Sequence, residues 1–528
     1  MFTEVLVGLS LAIGQSNYTA APPNLESDNP LSTVIVLKAP KPSSGQTVPG
    51  TPAANGNTPA ADSMAKPEET KAEDKKADEP VEGSYFLRVL KTYKAEFCKK
   101  DEPAEDTPPP ARRGLPAPYP AYSWPVLEYQ GPIIGLPQEP VLGPFQKALD
   151  GTPFGNFLKD NRIALYGWAT VSGNFSTNKQ SNSPTSYFVV PNRAELDQLV
   201  FRAERLLDTV QTDHFDWGFR LTSLYGIDYR YTTSEGNFSD QLLKNNRLYG
   251  YDPLEYYGDF YIPWIAEGVT IRAGRYISPP DIEAQLAPDN YLASHSILFT
   301  YDDYTHTGVL TTVRLTEQWQ VQAGIYAGGD MAPWSHDAIP TGMLGVKWTS
   351  TDNKDSVYLV DNAINDAKYR ESSSGGHDNY NYVVGTWSHT FSDKFHTATE
   401  AYFMWETDAR LGGTPSNGPP QAFGGGGGPG PVIPGTSKAY GVLNYTVYAL
   451  GDKDYLTFRN EWWDDAEGMR SGYATNYSSH TIGISHNFNA YLQFRPEVGY
   501  YRSYDAPAFD NGTRRNMLMF AFDTTLRF

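Results

Sequence analysis

From about residue 162 to the terminal Phe528 the chain is built of segments of about 8 to 13 residues in which apolar and polar positions alternate, the period-two pattern of strands whose faces meet different surroundings. Val321, Ala323, Ile325 and Ala327 fall on one face, and Gln320, Gln322, Gly324 and Tyr326 on the other. Leu492, Phe494 and Val498 oppose Gln493, Arg495 and Glu497; Val269, Ile271 and Ala273 oppose Thr270, Arg272 and Gly274; Leu443, Tyr445, Val447 and Ala449 oppose Asn444, Thr446 and Tyr448. The pattern predicts about sixteen strands, beginning near Ile163, Asp197, Asp216, Tyr256, Gly268, His306, Trp319, Thr341, Ser356, Asn381, Phe395, Ser437, Tyr455, Ser479, Leu492 and Asn516.

A soluble β-sandwich also alternates, so the connections decide. Short turns are expected at 208–213, 266–267, 316–318, 351–355, 390–394, 451–454 and 489–491. Long loops are expected between them, at 176–196, 229–255, 279–305, 329–340, 366–380, 407–436, 465–478 and 504–513. Short turns at one end, long loops at the other and an even strand count describe an outer-membrane barrel. The expected fold class is therefore all-β: an antiparallel transmembrane β-barrel of about 16 strands over 160–528, with the chain entering and leaving on the periplasmic, short-turn side.

Tryptophans gather near strand ends, at Trp217, Trp264, Trp319, Trp348, Trp387, Trp405, Trp462 and Trp463, where an amphipathic ring suits the lipid–water boundary. The last strand puts Leu518, Phe520, Phe522, Thr524, Leu526 and Phe528 on one face. An outward stripe ending in a carboxy-terminal aromatic is similar to the signal read by barrel-assembly machinery, an expected partner.

Upstream the pattern changes. Residues 1–20 carry a short apolar stretch followed by small residues, the outline of a signal peptide, although Glu4 stands where a basic residue is usual. Residues 21–83 are rich in Pro, Ala, Ser, Thr and charge, with too little apolar content to offset ordering entropy, and are expected to be disordered. Leu87, Leu90, Lys91, Lys94 and Phe97 recur at helical intervals and predict a short amphipathic helix over 84–99, free in the tail or docked at a barrel mouth. Residues 100–159 are proline-rich, with Pro108, Pro109, Pro110, Pro116, Pro118, Pro120, Pro125 and Pro132, and read as an extended periplasmic spacer.

Composition narrows the class. No apolar run reaches the roughly 20 residues a membrane helix needs, and mean hydropathy is −0.49. Tyr (36), Phe (25), Trp (11) and Gly (47) favour half-buried strands and tight turns. A single cysteine, Cys98, rules out an intrachain disulfide and a Cys-based zinc cluster. The net charge of −19 argues against nucleic acid as a partner, and 42 of the 61 acidic residues follow Lys159. No cofactor is expected.

The run 160–177 (DNRIALYGWATVSGNFST) resembles the first strand of the putative β-barrel porin-2 (OmpL-like) family, as found in planctomycetes. Residues 219–233 (FRLTSLYGIDYRYTT), 271–278 (IRAGRYIS) and 281–291 (DIEAQLAPDNY) are similar to it too, as is the lead-in with Tyr122, Ser123, Trp124 and Pro125. The resemblance covers essentially 160–528 and implies an outer-membrane porin for passive diffusion of small hydrophilic solutes and ions. The glycine-rich stretch 412–435 departs from the family and reads as a mobile external loop.

With apolar faces toward lipid, the opposite faces line a watered lumen where charge costs little. Arg220, Arg272, Arg275, Arg314, Arg495 and Glu497 are the candidate pore-lining groups, together with Asp281 and Glu283 of the third external loop, which also carries Asp289, Asp302 and Asp303. By analogy with general porins, the loop would fold inward and set its carboxylates against Arg272, Arg275 and Arg314 at a constriction. The acidic excess then predicts mild cation preference. A homotrimer is plausible by the same analogy.

No zincin, nucleophile-elbow or P-loop motif appears, and the protein is expected not to be an enzyme. A barrel hydrolase would draw on Ser479 with His480 or Ser485 with His486, and Asp464, Asp465 and Glu467 could bind Ca²⁺. The alternative to a pore is a structural or adhesion barrel whose lumen is filled. Sixteen strands enclose an aqueous channel by size alone, whereas about eight are filled by side chains.

Overall fold

The computed structural model describes residues 83–98, 131–136, 142–185, 187–239, 247–336, 338–369, 379–412 and 430–528. The expected signal peptide, nearly all of the low-complexity tail and the core of the glycine-rich loop, 413–429, lie outside these residues. All that follows concerns the unit Lys75–Phe528.

Sixteen antiparallel strands close into one barrel in which every strand pairs with its sequence neighbours and the last with the first. They are β1 (Ala164–Ser176), β2 (Ala194–Arg205), β3 (Asp216–Gly226), β4 (Gly250–Ile262), β5 (Val269–Ile277), β6 (Thr305–Arg314), β7 (Trp319–Tyr326) and β8 (Thr341–Thr349). The second half is β9 (Asp355–Ile364), β10 (Asn381–Ser392), β11 (Phe395–Thr407), β12 (Thr436–Ala449), β13 (Asp454–Asp465), β14 (Thr475–Asn489), β15 (Leu492–Ser503) and β16 (Asn516–Arg527). Closure pairs Trp168 with Arg527 and Phe175 with Phe520, so no edge strand is left exposed to lipid.

The strand count, the order and the alternation of short and long connections are those expected. On β7, Val321, Ala323 and Ile325 face out while Gln320, Gln322 and Tyr326 are buried inside. Short connections use local turn chemistry: at 350–354 the Ser350 hydroxyl bonds Asp352 and Asn353 takes φ +59°, a conformation asparagine tolerates well. Three strands start three or more residues earlier than the alternation indicates. β4 begins at Gly250 rather than Tyr256, because the β3–β4 register shifts between Thr222 and Leu224 and both Leu254 and Glu255 are buried, which breaks the period of two. β14 begins at Thr475 because Tyr477, Ser478 and Ser479 are buried in succession. β2 begins at Ala194, three residues before the expected Asp197.

Trp217, Trp264, Trp319, Trp387 and Trp462 stand exposed on the outside. Trp463 departs from the expected belt: it points inward, its Nε1 donates to the Tyr402 hydroxyl at 2.6 Å, and its ring stacks on Tyr301 at 5.0 Å. Adjacent residues of a strand face opposite sides, so Trp462 and Trp463 cannot share a surface.

Helix α1 (Tyr85–Cys98) matches the predicted amphipathic segment and lies at the short-turn rim, with the Tyr93 hydroxyl donating to the Arg527 carbonyl at 2.9 Å. Part of the stretch read as spacer is helical: α2 (Pro144–Lys147) and α3 (Pro153–Asp160) each start at a proline, which is pre-set for the first turn of a helix. α2 staples the β1–β16 seam. The Gln146 side chain accepts from Leu165 N at 2.6 Å and donates to Ile163 O at 2.9 Å, completing β1 on the side where β16 has ended. Gly143 lies so close to the Phe528 carbonyl that a Cβ would fall 2.1 Å from its oxygen. Phe145 packs over the terminal Phe528 ring at 4.8 Å, so the outward-facing terminal aromatic is covered.

Candidate functional site in the barrel lumen

Two stretches of wall build the lumen in different ways. On β2–β5 the inward positions alternate in charge between neighbouring strands. Arg202 of β2 pairs with Glu255 of β4 at 2.9 Å. Arg220 of β3 bridges Glu204 of β2 at 2.8 Å and Glu255 at 3.4 Å. Arg272 of β5 makes a two-pronged contact with Asp259 of β4, at 2.9 and 2.8 Å, and its guanidinium lies 3.9 Å from the Tyr257 ring. Each cation faces a carboxylate on a nearby strand, the cross-strand pairing that stabilises a sheet, and planar Arg–carboxylate forks hold their geometry well.

On β11–β16 the inward charges hold a loop. Residues 278–304, between β5 and β6, run inside the barrel and are buried along almost their whole length. They include a short helix, α4 (Ile297–Thr300). Glu400 of β11 accepts from Ile282 N at 2.7 Å, and Glu497 of β15 accepts from Ala293 N and Ser294 N at 2.9 and 3.2 Å. Glu461 of β13 accepts from the amides of Ile297 and Leu298 and from the Ser479 hydroxyl. Arginines take the carbonyls: Arg459 reaches Ser294 O at 2.6 Å, Arg495 reaches Ala287 O and Asn290 O at 2.7 and 2.6 Å, and Arg470 reaches Tyr301 O at 2.9 Å. Gln198 of β2, separated from β16 only by β1, holds the same loop, bonding Gln285 O and Ala287 N. A chain crossing a lumen has no ladder partners, and its buried amides and carbonyls must be satisfied by side chains. Bonds to charged groups contribute about 1.5–3 kcal/mol each.

The loop thus folds inward as expected, but against a different wall. Arg272, Arg275 and Arg314 do not meet its carboxylates. Arg272 is taken by Asp259, Arg275 by Asp252 at 3.1 Å, and Arg314 by the Ile134 carbonyl at 2.9 Å and Glu267 at 3.8 Å. Glu283 instead pairs with Arg459 at 3.2 Å. Asp281 and Asp302 lie together beside Tyr382, whose hydroxyl donates to Asp302 at 3.0 Å. Burial, and then the repulsion of neighbouring carboxylates, hold both carboxyls well above the usual carboxylate range. His295 is sandwiched between Tyr187 at 3.8 Å and Phe299 at 4.8 Å, and burial pushes its imidazole down to about 3.

Arg220, Arg495 and Glu497 are inward and buried; Arg495 also binds Asp523 of β16. Arg459, Glu461 and Glu400 did not stand out in the sequence. On β13 they could have been found, since Arg459, Glu461 and Trp463 share one parity with the buried Thr457.

The short-turn end is crossed by residues 131–136. Ile134 N donates to Gln320 at 2.9 Å, Gly135 N donates to Thr209 at 3.0 Å, and Ile134 packs with Leu207 and Tyr261. Between this segment and the β2–β5 wall lies a small polar cavity of about 30 Å³, room for about one water, lined by Ile133, Arg220, Asp259 and Arg272.

Neither serine–histidine pair forms a dyad. Ser479 points inward to Glu461, while His480 points outward to Asn460 at 2.7 Å. Ser485 bonds the Tyr291 carbonyl, and His486 meets Asp454 at 2.7 Å on the other face. Of the acids considered for Ca²⁺, Asp465 caps its own turn, accepting from Arg470 N and Ser471 N, and Glu467 accepts from Lys438 N of β12. Among the described residues no three His, Cys, Asp or Glu side chains gather at metal-binding spacing.

A closed sixteen-stranded barrel with an outward apolar wall and a loop-narrowed polar lumen is the architecture of an outer-membrane porin. Residues 162–528 match the family described as "Putative beta-barrel porin-2, OmpL-like", and the chain belongs to that family, which places it in the outer membrane with a porin's role. Among solved structures it is similar to the anion-selective porin of Comamonas acidovorans, with a TM-score of 0.44 and 9% identity over 69% of this chain and 99% of that one. OprB of Pseudomonas putida aligns with a TM-score of 0.43 and 10% identity over 72% and 97%. The outer membrane channel DcaP of Acinetobacter baumannii aligns with a TM-score of 0.41 and 9% identity over 69% and 97%. No curated protein matches the chain at a significant level.

Proposed function

We propose that this porin passes small hydrophilic solutes and ions by diffusion along the paired-charge wall of β2–β5, with mild cation preference. The observation that carries the reading is the division of the lumen. The loop 278–304 is tied to β11–β16, and the polar cavity lies on the opposite side, against Arg220, Asp259 and Arg272. Arg220, Arg272, Arg275, Arg314, Arg495, Glu497, Asp281 and Glu283 are the proposed pore-lining and constriction groups. The paired arginines leave the walls near neutral, and the cation preference rests on the acidic excess of the barrel region, 42 acidic against 27 basic residues after Lys159.

The short-turn end, with α1 and the segment before β1, is assigned to the periplasm, because external loops are the longer ones in this class. We assign the Phe528 strand to the assembly machinery and a homotrimer to the mature protein. Protease protection in intact cells tests the first, the level of Phe528→Ala assembled in the outer membrane of cells against its unchanged refolding yield in detergent the second, and crosslinking in membranes the third.

Planar-bilayer recording of the full chain is the decisive experiment. Discrete conductance steps with a cation-preferring reversal potential are expected, and larger steps in Ile134→Asp. A specific observation favours a second reading, a filled structural barrel: the lumen is crossed twice, at the short-turn end by 131–136 and at mid-height by 278–304. Silence from both proteins would establish that reading and exclude the pore.

A further inference from the structure

Beside the β1–β16 seam the lumen encloses a cavity that neither the charge-paired wall nor the clamped loop accounts for. Thr170, Asp197, Gln198, Asp228 and Asp523 line it from the barrel, and His295 lines it from the inward loop. All six are more than nine-tenths buried. The space is about 10 Å³, room for about one water-sized occupant.

The hydrogen bonds around the cavity leave acceptors without donors. Ser172 donates to one oxygen of Asp197 at 2.7 Å, and the Gln198 amide donates to one oxygen of Asp228 at 2.9 Å. The second oxygen of each carboxyl has no hydrogen bond among the described residues. Gln198 is otherwise spent on Gln285 O, Trp168 and Ala287 N, and the Thr170 hydroxyl on Thr525 at 2.9 Å. His295 supplies an independent third acceptor. Its Nε2 lies 2.7 Å from the Ala284 carbonyl and must carry the hydrogen, so Nδ1 is a bare lone pair, buried and without a partner.

Charge gives the sign of the occupant. Asp523 is held by the fork of Arg495, whereas Asp197 and Asp228 form no ion pair among the described residues. Glu195, two residues before Asp197, adds a buried carboxyl whose oxygens have no hydrogen bond, with Arg193 3.8 Å away. Burial above all, with the charges of Glu195 and Asp523, holds the Asp228 carboxyl above the usual carboxylate range. It therefore carries a proton unless a cation takes the proton's place. A water brings two hydrogens and no charge. A metal ion needs ligands gathered more closely than any His, Cys, Asp or Glu among the described residues. An ammonium brings one charge and N–H donors in every direction, at the lengths charge-assisted hydrogen bonds take.

We propose that this cavity binds an ammonium ion, held by the free oxygens of Asp197 and Asp228 and by Nδ1 of His295. The site stands apart from the pore assignment, because binding at equilibrium needs no conduction.

The test is a titration of the full chain in detergent micelles, weakly buffered near neutral pH, with ammonium, potassium or tetramethylammonium chloride at constant ionic strength. Ammonium should release protons saturably, up to about one per chain as it displaces the carboxyl proton, and should protect loop 278–304 from chymotrypsin. Tetramethylammonium, which has no N–H, should do neither. His295→Phe keeps an aromatic ring between Tyr187 and Phe299 and removes the acceptor. It should weaken the ammonium response about tenfold or more, as should Asp228→Asn. Equal responses to ammonium and tetramethylammonium mean an effect of ionic strength and overturn the site. A potassium response as strong as that of ammonium overturns the hydrogen-bonding ligand set. No saturable response means that the cavity keeps its proton or a water, which also overturns the proposal. Folded variants that respond like the parent place the ammonium elsewhere and overturn this assignment. If the variants do not fold, the three cations on the parent decide alone.

Discussion

The walls β2–β5 and β11–β16 both carry inward charges and use them in opposite ways. The first pairs its charges with each other across nearby strands, as in Arg220 with Glu204 and Arg272 with Asp259. The second pairs its charges with the backbone of a loop that belongs to distant strands, as in Glu497 with Ala293 N and Arg495 with Asn290 O. A self-paired wall leaves its groups lining whatever space remains, whereas a wall that clamps a loop gives up its space to that loop. The asymmetry sets the loop against one side of a sixteen-stranded lumen.

The comparison can be broken most severely at Arg220. Arg220→Ala leaves Glu204 without its cation and Glu255 with Arg202 alone, and removing one partner of a buried pair costs about 3–5 kcal/mol. A corresponding drop in urea-unfolding stability is expected, with loop 278–304 still protease-resistant. Glu461→Ala should act the other way. It orphans the amides of Ile297 and Leu298, a loss of about 1.5–3 kcal/mol per bond to a charged group. The loop should then become susceptible to proteolysis and single-channel conductance should rise, with barrel unfolding nearly unchanged. If both substitutions lower global stability alike, the two walls do not differ as described.

A smaller effect is expected from pH. Asp281 and Asp302 are held above the usual carboxylate range by burial and by neighbouring carboxylates. Their contribution to seating the loop is therefore complete below the ordinary carboxyl pKa of about 3.9, and it is lost as pH rises through the raised values. Loop protection should decline with rising pH, and Asp302→Asn should flatten the profile. Equal slopes in parent and variant would remove the carboxyl pair as the cause. The smallest change is expected at Trp264→Phe on the outer rim: within about 0.5 kcal/mol in unfolding, as for an exposed substitution away from special features.

Much of the fold is legible in the order of residues alone. A period of two is a local property, readable over eight residues, and turn length is local too, so the sixteen strands and their short–long rhythm can be read directly. The pattern misleads where the period itself breaks, at the bulge that buries Leu254 and Glu255 together. It also groups Trp463 with Trp462 when proximity to a strand end is weighed above parity. The third loop is expected inside the barrel, on the correct residues, but opposite the wrong arginines.

That last difference marks what each level determines. By itself the sequence determined an all-β barrel, its strand number and the amphipathic helix before it, because each follows from spacing between near neighbours. It did not determine which face turns inward on every strand, since Leu443, Tyr445 and Val447 of β12 are buried inside while Asn444 and Thr446 face out. Only the tertiary structure decided which charges meet. Glu283 finds Arg459 and Ala293 finds Glu497 across separations of 176 and 204 residues. Their meeting depends on barrel closure and on the path of one loop across the lumen, and no local periodicity encodes that path.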